Sequence, residues 1–439
     1  MSSNAKNLAE LLNTDSTVAV GDIADGSVST AKLADDAVTS AKLGASAVDA
    51  TALASSAVTT AKIANNAVAT AKVADGAVTQ AKTTGVGKGK NLCINGGMQV
   101  AQRGTSQSSI SSGSTYRTVD RFMTRIGTAG TWTQTQETLA VTDPPFLQHG
   151  HTKALKMDCT TANSSLSAGS FIIFNYRIEG QDMQHFRTGT SDPVPMTVSF
   201  WVKATKTGTN TLTTYQDEGG KQVSLAYTIN ASNTWEHKTL TIPGNTHDAI
   251  ANDNTRGRQI SWNLALGSNR TSGSLQSTWQ NYATGDEGPG QVNHADSTSN
   301  NFHITGIQIE LGSSFTEFDH EPIETTLRKC QRYYVRTGGA NYANIFGLGG
   351  IANTTGSWFG LGSVPVPMRT GFTLIQSGGT PRIQNGQAGY NASSVSMSLQ
   401  AANMTGLSAG CNASGLTLYR WHNMDAGASA ALFELDAEL

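Results

Sequence analysis

The segment STWQNYATGDEG sets Trp279 and Tyr282 beside Gln280, Asn281 and Asp286 in a polar, loop-like context. An aromatic ring offers the flat apolar surface that a sugar's C–H face needs, and neighbouring amides or carboxylates can bond its hydroxyls. The same pairing of ring and polar neighbours recurs towards the end of the chain. Trp358 lies between TTGS and FGLG, Tyr390 lies in NGQAGYNAS, and Trp421 is followed by His422 and Asn423. Trp279, Tyr282, Asp286, Trp358, Tyr390, Trp421, His422 and Asn423 are therefore the candidate glycan contacts. For each ring taken alone, packing inside a core is the competing fate. Trp201 and Trp235 sit inside strong strand patterns and read as core.

Other chemistry is thinly represented. H-E-x-x-H and P-loop fingerprints are missing from the sequence. EFDHE (Glu317 to Glu321) and HGH (His149 to His151) come nearest to an acid/base or metal cluster. In EFDHE, strand alternation would put Glu317, Asp319 and Glu321 on one face and Phe318 and His320 on the other, a pattern that also fits a polar rim. The oxygen-rich NDN (Asn252 to Asn254) and TGDEG (Thr284 to Gly288) lack a diagnostic Ca²⁺ spacing. The acidic pairs Asp217–Glu218 and Asp286–Glu287 are adjacent, so on a strand their members face opposite sides. No catalytic residue, metal or cofactor is expected, and the chain reads as a non-enzyme.

Composition narrows the class. Charged residues make up 14% of the 439 positions, against a typical value of roughly 25%, while Gly reaches 46 and Pro only 10. Such a mixture suits short strands joined by small-residue turns. The net charge of -2 and the lack of basic blocks argue against nucleic-acid binding. No stretch is apolar for long enough to span a bilayer, and the start MSSNAKNLAELL lacks the pattern of a secretion signal, so synthesis in a cytoplasm is expected. Cys93, Cys159, Cys330 and Cys411 lie far apart and read as reduced, buried thiols.

The elements that would carry the candidate rings fall into blocks. From Asp25 the chain repeats in tens: DGSVSTAKLA, DDAVTSAKLG, ASAVDATALA, SSAVTTAKIA, NNAVATAKVA, DGAVTQAKTT. Sizeable apolar residues stand at every fifth position, a spacing that fits neither helix nor strand. Burying one aliphatic is worth about 1.5–3 kcal/mol, whereas ordering ten backbones costs on the order of 10 kcal/mol or more. A lone chain cannot close that gap; several copies about one axis can. Val28, Leu33, Val38, Leu43, Val48, Leu53, Val58, Ile63, Val68, Val73 and Val78 are accordingly expected to form the core of a trimeric shaft, with a disordered linker as the alternative. Ahead of it, Leu8, Leu11 and Leu12 fall at helical spacing and could dock the N-terminus onto a larger assembly.

After the Gly/Lys linker TTGVGKGK, alternation of period two takes over. MTVSFWVKA, FIIFNYRI, TWEHKTLTI, RQISWNLAL and FHITGIQIEL predict strands of a two-sheet sandwich, most simply a jelly roll. NIFGLGGI, SWFGLGSVPV, SVSMSLQ, LTLYRW and ALFELDAEL predict a second β-rich block.

NLCINGGMQVAQRGT, VDRF, VSFWVKA, TWEHKTLTIPG and ITGIQIELGSSFTEFDHEPI together resemble the central domain of phage tail-fibre and receptor-binding proteins. LRKCQRYYVR and VPVPMR resemble the distal domain of that family, and the decapeptides resemble its shafts. The expected architecture is mainly β: residues 1–24 a virion-anchoring segment, 25–90 a fibrous trimeric shaft and linker, 91–324 a jelly-roll β-sandwich, and 325–439 a sandwich-like receptor-binding head. The resemblance implies a homotrimeric virion appendage, docked by its N-terminus to a tail or other structural protein. Its far end would bind a host surface glycan or outer-membrane protein. The alternatives are a neck, head or side fibre that binds no receptor, and a polysaccharide depolymerase. The first quantity to measure is the solution mass of the full chain beside a chain beginning at Lys88. A full-length trimer is expected, and a full-length monomer would remove the reason for the fivefold spacing.

Overall fold

Alternation in sequence becomes two faces in space. In β5 (Met196–Ala204), Met196, Val198, Phe200 and Val202 all enter one hydrophobic cluster, as the pattern MTVSFWVKA predicts. A computed structural model describes residues 27–29, 33–34, 37–39, 42–43, 91–400 and 405–439. The chain divides into two compact units, Met1–Thr79 and Gln80–Leu439. In the first, Val28, Leu33, Val38 and Leu43 are 44–53% exposed in the single chain. The remaining expected shaft positions, Val48 to Val78, and the anchor leucines Leu8, Leu11 and Leu12 lie outside the described residues.

The second unit opens on an 11-stranded antiparallel sheet. Its strands are β1 (Ser106–Tyr116), β2 (Phe122–Thr138), β3 (Lys153–Thr161), β4 (Phe171–Glu179), β5, β6 (Gly208–Gln216), β7 (Lys221–Ile229), β8 (Glu236–Ile242), β9 (Arg256–Leu266), β10 (Gln280–Asn281) and β11 (Asn301–Leu311). They run in the order β10-β7-β6-β9-β4-β2-β3-β11-β5-β8, with β1 on β2. The path curls into two layers because β2 changes partner midway. Phe122 to Gly127 pair with β4, and Thr131 to Thr138 pair with β3. At the bend Thr128 and Gly130 have φ of 50° and 80°, and a Cβ on Gly130 would strike the carbonyl of Thr161. Across the layers, Phe200 of β5 meets Trp262 of β9 edge-on at 5.7 Å and Tyr227 of β7 at 5.2 Å. The segment before β1 straps the edge: the Leu92 amide donates to the Ile309 carbonyl at 2.9 Å, and Asn91 Nδ2 donates to the Ile307 carbonyl at 3.1 Å.

Two α-helices occur among the described residues, both short. The first, α1 (Pro144–His149), follows β2, and α2 (Ile323–Gln331) leads into the distal block. Among the described residues no helix is long and apolar enough to cross a membrane. The distal block holds a 3-stranded sheet of β12 (Tyr334–Gly338), β21 (Leu432–Asp436) and β15 (Thr373–Ser377), with β21 in the middle. Its 7-stranded sheet joins β13 (Asn344–Thr354), β14 (Ser357–Ser363), β16 (Arg382–Gln384), β17 (Gly389–Asn391), β18 (Ser393–Leu399), β19 (Gly406–Asn412) and β20 (Trp421–Asp425). These strands enclose a separate apolar cluster running from Val335 to Ala437. One expected strand is corrected: LTLYR is a turn in which Tyr419 has φ of 58°, and pairing resumes only at Trp421. All four cysteines are free and buried.

The distal block meets the sandwich through buried charge. Arg121, fully buried, pairs with Glu438, donates from Nη2 to the Arg177 carbonyl at 2.8 Å, and lays its guanidinium 3.3 Å from the centroid of the Tyr333 ring. Arg103 stacks on Tyr334 at 3.6 Å and reaches Asp436 at 3.1 Å. From the other side Arg332 grips Glu179 with two bonds of 2.8 Å, and the Tyr333 hydroxyl donates to the same carboxylate.

The HGH and EFDHE segments also find a structural role. His151 is buried with its ring 4.5 Å from Phe318 and 5.3 Å from His320, in space left by Gly306, whose φ is 60°. The split expected within EFDHE thus survives for Phe318 and His320, although the segment is not a strand. Among the described residues no group of three or more His, Cys, Asp or Glu is placed to hold a metal.

Replacing Glu438 with Ala leaves the Arg121 charge buried and unpaired, and should cost about 3–5 kcal/mol in denaturant unfolding. The double change Arg121→Met with Glu438→Leu should recover most of it. An unchanged midpoint for the single variant would contradict the dependence on this pair. Acid should also destabilise the fold. Burial, with the neighbouring histidines, holds His151 down to about 3, and burial beside Lys206 holds His294 down to about 4, from an ordinary value of 6.5. The unfolded chain therefore takes up these protons first, so stability present above pH 6.5 drains away as the pH falls towards 3. Asp120, pushed up to about 6 by burial, opposes this over part of the window. A melting temperature that stays flat from pH 7 to pH 4 would contradict the reading.

Candidate functional site

The outer face of the sheet carries the side chains that alternate with the core. On β9, Ile260, Trp262 and Leu264 point inward, so Gln259, Ser261 and Asn263 point outward. On β4, Phe174, Tyr176 and Ile178 are core while Ile173 and Arg177 face out; on β6, Leu212 is core while Thr213 and Tyr215 face out. Pairing aligns these outward residues into cross-strand rows. One row runs Ser114, Arg125, Ile173, Asn263, and another runs Arg177, Gln259, Tyr215. Between them Asn175, Ser261 and Thr213 form a third. The rows floor an open cleft of about 440 Å³, rimmed by Arg256, Arg270, Tyr282 and Glu287.

Hydrogen bonds fix the floor. Asn263 Nδ2 donates to Thr211 Oγ1 at 2.9 Å and Thr213 Oγ1 at 3.1 Å, and Asn175 Nδ2 donates to Ser261 Oγ at 3.0 Å. Gln259 Oε1 accepts from Arg177 Nε at 3.0 Å and Arg256 Nη1 at 3.2 Å. At the rim the Tyr282 hydroxyl donates to Glu287 Oε1 at 2.5 Å, and Arg270 pairs with the other oxygen of that carboxylate. Tyr215 and Tyr282 stand edge to face with centroids 5.3 Å apart. Arg256 pairs with Asp217 through both of its carboxylate oxygens. Amides, hydroxyls and guanidinium groups beside two phenol rings make a surface fitted to a hydroxyl-rich ligand.

Of the residues expected from sequence, Tyr282 lines this cleft and is 43% exposed. Asp286 lies next to it, accepting from the Ser274 amide at 2.8 Å and from Gln276 Nε2 at 3.0 Å. Trp279 is corrected to core: it is 5% exposed, its Nε1 donates to the Pro243 carbonyl at 2.7 Å, and Arg258 stacks on its ring at 4.6 Å. Trp358 and His422 are also buried, at 1% and 0% exposure, because they occupy inward positions of β14 and β20. Tyr390 is half-buried, packed against the distal core and 6.0 Å from His422. Trp201 and Trp235 are core, as expected.

Trp421 and Asn423 do reach the surface, on a different sheet. Trp421 is 60% exposed, with its Nε1 donating to Asn423 Oδ1 at 3.1 Å. Its indole lies across Gly349, where a Cβ would come within 2.5 Å of the ring. Register places Phe359, Ile351 and Trp421 side by side on β14, β13 and β20, all more than 40% exposed. The cleft residues Arg125, Arg177, Tyr215, Arg256 and Arg270 were not among the sequence candidates. For Arg125 and Arg177 the signal was there, as polar positions alternating with the apolar residues that mark β2 and β4; Arg270, in the turn after β9, carries no such signal.

No protein-family model matches the chain, and no curated protein matches it. Similar solved structures include the enzymatically active domain of bacteriophage CBA120 tailspike protein 4, at 14% identity over 50% of this chain and 21% of that one, with a TM-score of 0.25. They also include TmCBM61 in complex with β-1,4-galactotriose, at 11% identity over 51% of this chain and 99% of that one, with a TM-score of 0.23. A family 11 carbohydrate-binding module from Clostridium thermocellum, in complex with a mixed-linked tetrasaccharide, is 8% identical over 48% of this chain and 98% of that one, with a TM-score of 0.23. At these scores the likenesses carry no inference about ligand or activity.

Proposed function

We propose that this chain is a glycan-binding attachment protein, the subunit of a homotrimeric virion appendage of the tail-fibre kind, and that the sandwich cleft holds the host saccharide. The observation that carries the glycan reading is the cleft of about 440 Å³, floored by ordered amides and hydroxyls and walled by the Tyr215–Tyr282 pair. Sugar hydroxyls need fixed donors and acceptors, and the C–H face of a pyranose needs a ring; both are present within one trough. The appendage reading rests on the decapeptide spacing and on the order of the sequence motifs. Repetition of a weak site across three tethered chains would raise avidity without new contacts.

Attachment is non-covalent in this proposal. A glycosidase sets two carboxyl groups about 5–10 Å apart across the scissile bond. Here Glu287 is tied to Arg270 and Tyr282, and Asp217 to Arg256, which favours binding over hydrolysis. The exposed Phe359–Ile351–Trp421 row supports a second reading, in which the distal sheet is the contact surface.

Tyr215→Ala and Tyr282→Ala should each weaken glycan binding about tenfold, the worth of one ring contact of about 1–1.5 kcal/mol, with little change in melting temperature. The check is affinity electrophoresis against host surface polysaccharide, with new reducing ends assayed in parallel. Loss of binding in Trp421→Ala alone would move the site to the distal sheet, and release of reducing ends would overturn the non-enzymatic reading.

A further inference from the structure

The cleft carries more positive charge than its own carboxylates balance. Four arginines line it, Arg125, Arg177, Arg256 and Arg270, with Glu287 as the acid in the lining and Asp217 just outside. Arg270 is matched by Glu287 and Arg256 by Asp217. The other two stand on the floor. Arg177 gives Nε to Gln259 and Nη1 to a main-chain oxygen of Leu439. The side chain of Arg125, partly buried on β2, makes no hydrogen bond or ion pair among the described residues, and its guanidinium lies 5.7 Å from the centroid of the Phe171 ring. Burial depresses both guanidinium groups, neighbouring cleft arginines add to the effect, and Glu287 near Arg125 and Tyr116 and Asp217 near Arg177 offset part of it. A partly desolvated charge with no ion-pair partner, as at Arg125, is costly to the fold on its own. An anion entering the cleft would supply what is missing, and a guanidinium fork matches a carboxylate in bidentate fashion.

The spacing adds a second constraint. Arg125 lies opposite Ile173 on β4, and Arg177 follows four residues further along that strand, about 13 Å at the rise of an extended chain. Two such groups address acid functions on different sugars of one polymer. Between them the floor is neutral, made of Asn175, Ser261 and Thr213.

We infer that the cleft takes an acidic saccharide chain, with Arg125 and Arg177 receiving carboxylate groups of separate sugar residues while Tyr215 and Tyr282 take a sugar face. The inference rests on the glycan-binding reading and adds the class of glycan. It is tested on the full chain with a panel of uronate and sialate polymers, each beside its carboxyl-reduced neutral form, and with dextran sulfate as a sulfated arm. At least one carboxylated polymer should bind, and should lose tenfold or more in affinity on carboxyl reduction. Arg125→Gln and Arg177→Gln should each lose a similar factor, while Arg187→Gln, an exposed pair with Asp192 outside the cleft, should not. Arg125→Gln should leave the melting temperature of the free protein equal or higher, since the guanidinium has no hydrogen bond or ion pair there to lose and only a distant contact with the Phe171 ring. Binding that survives carboxyl reduction, or is indifferent to Arg125→Gln, overturns the acidic assignment and leaves the glycan reading standing. Preference for dextran sulfate over every carboxylated polymer overturns the carboxylate assignment in favour of sulfate. Failure of acidic and neutral glycans alike overturns both readings.

Discussion

Arg121 keeps a full positive charge out of water, and much of the second unit is arranged around that fact. Ion pairs buried this deeply gain little over well-packed apolar groups, yet losing one partner is severe. Glu438, the Tyr333 ring and the Arg177 carbonyl must all be in place at once, and they come from three distant parts of the chain. The sandwich and the distal block are thereby fixed in one relation, with Arg103 on Tyr334 and Arg332 on Glu179 repeating the device on either side. The junction also reaches the cleft, because the residue whose carbonyl satisfies Arg121 is the one whose side chain lies on the cleft floor.

The cleft itself is a by-product of building a sandwich from alternating strands. Every inward aromatic of β4 and β9 commits its neighbours to the opposite face, and there the sequence places amides, hydroxyls and arginines. Curvature from the bend in β2 and the loops that bring in Arg270, Tyr282 and Glu287 close that face into a trough. The polar positions of that trough have their rotamers set by cross-strand bonds, as in the Asn263–Thr211–Thr213 group.

How much of this was legible depends on the scale of the signal. Strands with strong alternation, β4, β5, β9 and β11, are readable within about two residues, and ALFELDAEL contains a strand of the expected β-rich block. Threonine-rich β6 and serine-rich β1 carry little hydrophobic contrast, and their identity comes from pairing with β9 and β2. LTLYR has strand composition but ends as a turn, since Tyr419 takes a left-handed backbone. Trp279 looked exposed from its polar neighbours; the Pro243 carbonyl and Arg258 that bury it are respectively 36 and 21 positions away. The VDRF and LRKCQRYYVR segments were legible as motifs, whereas their meeting at Arg121 and Tyr333 was not, because no local pattern encodes a contact over that separation. Arg125 and Arg177 were missed as site residues for the same reason, since only register sets them in rows, and Arg270 reaches the cleft from a turn.

The strap at the sandwich edge has a kinetic meaning. Asn91 accepts from the Ile309 amide at 3.0 Å across 218 positions, and β11 is wedged between β3 and β5. Closing so long a loop costs little more free energy than closing a shorter one, since each doubling adds only about 0.6 kcal/mol. Rate is affected differently, because sheets dominated by distant pairings form slowly, on the order of milliseconds to seconds in small domains. During synthesis the early strands must therefore wait, with their apolar faces uncovered, until β11 has left the ribosome. Until then the uncovered faces of neighbouring nascent chains are an aggregation hazard that the completed sheet no longer presents.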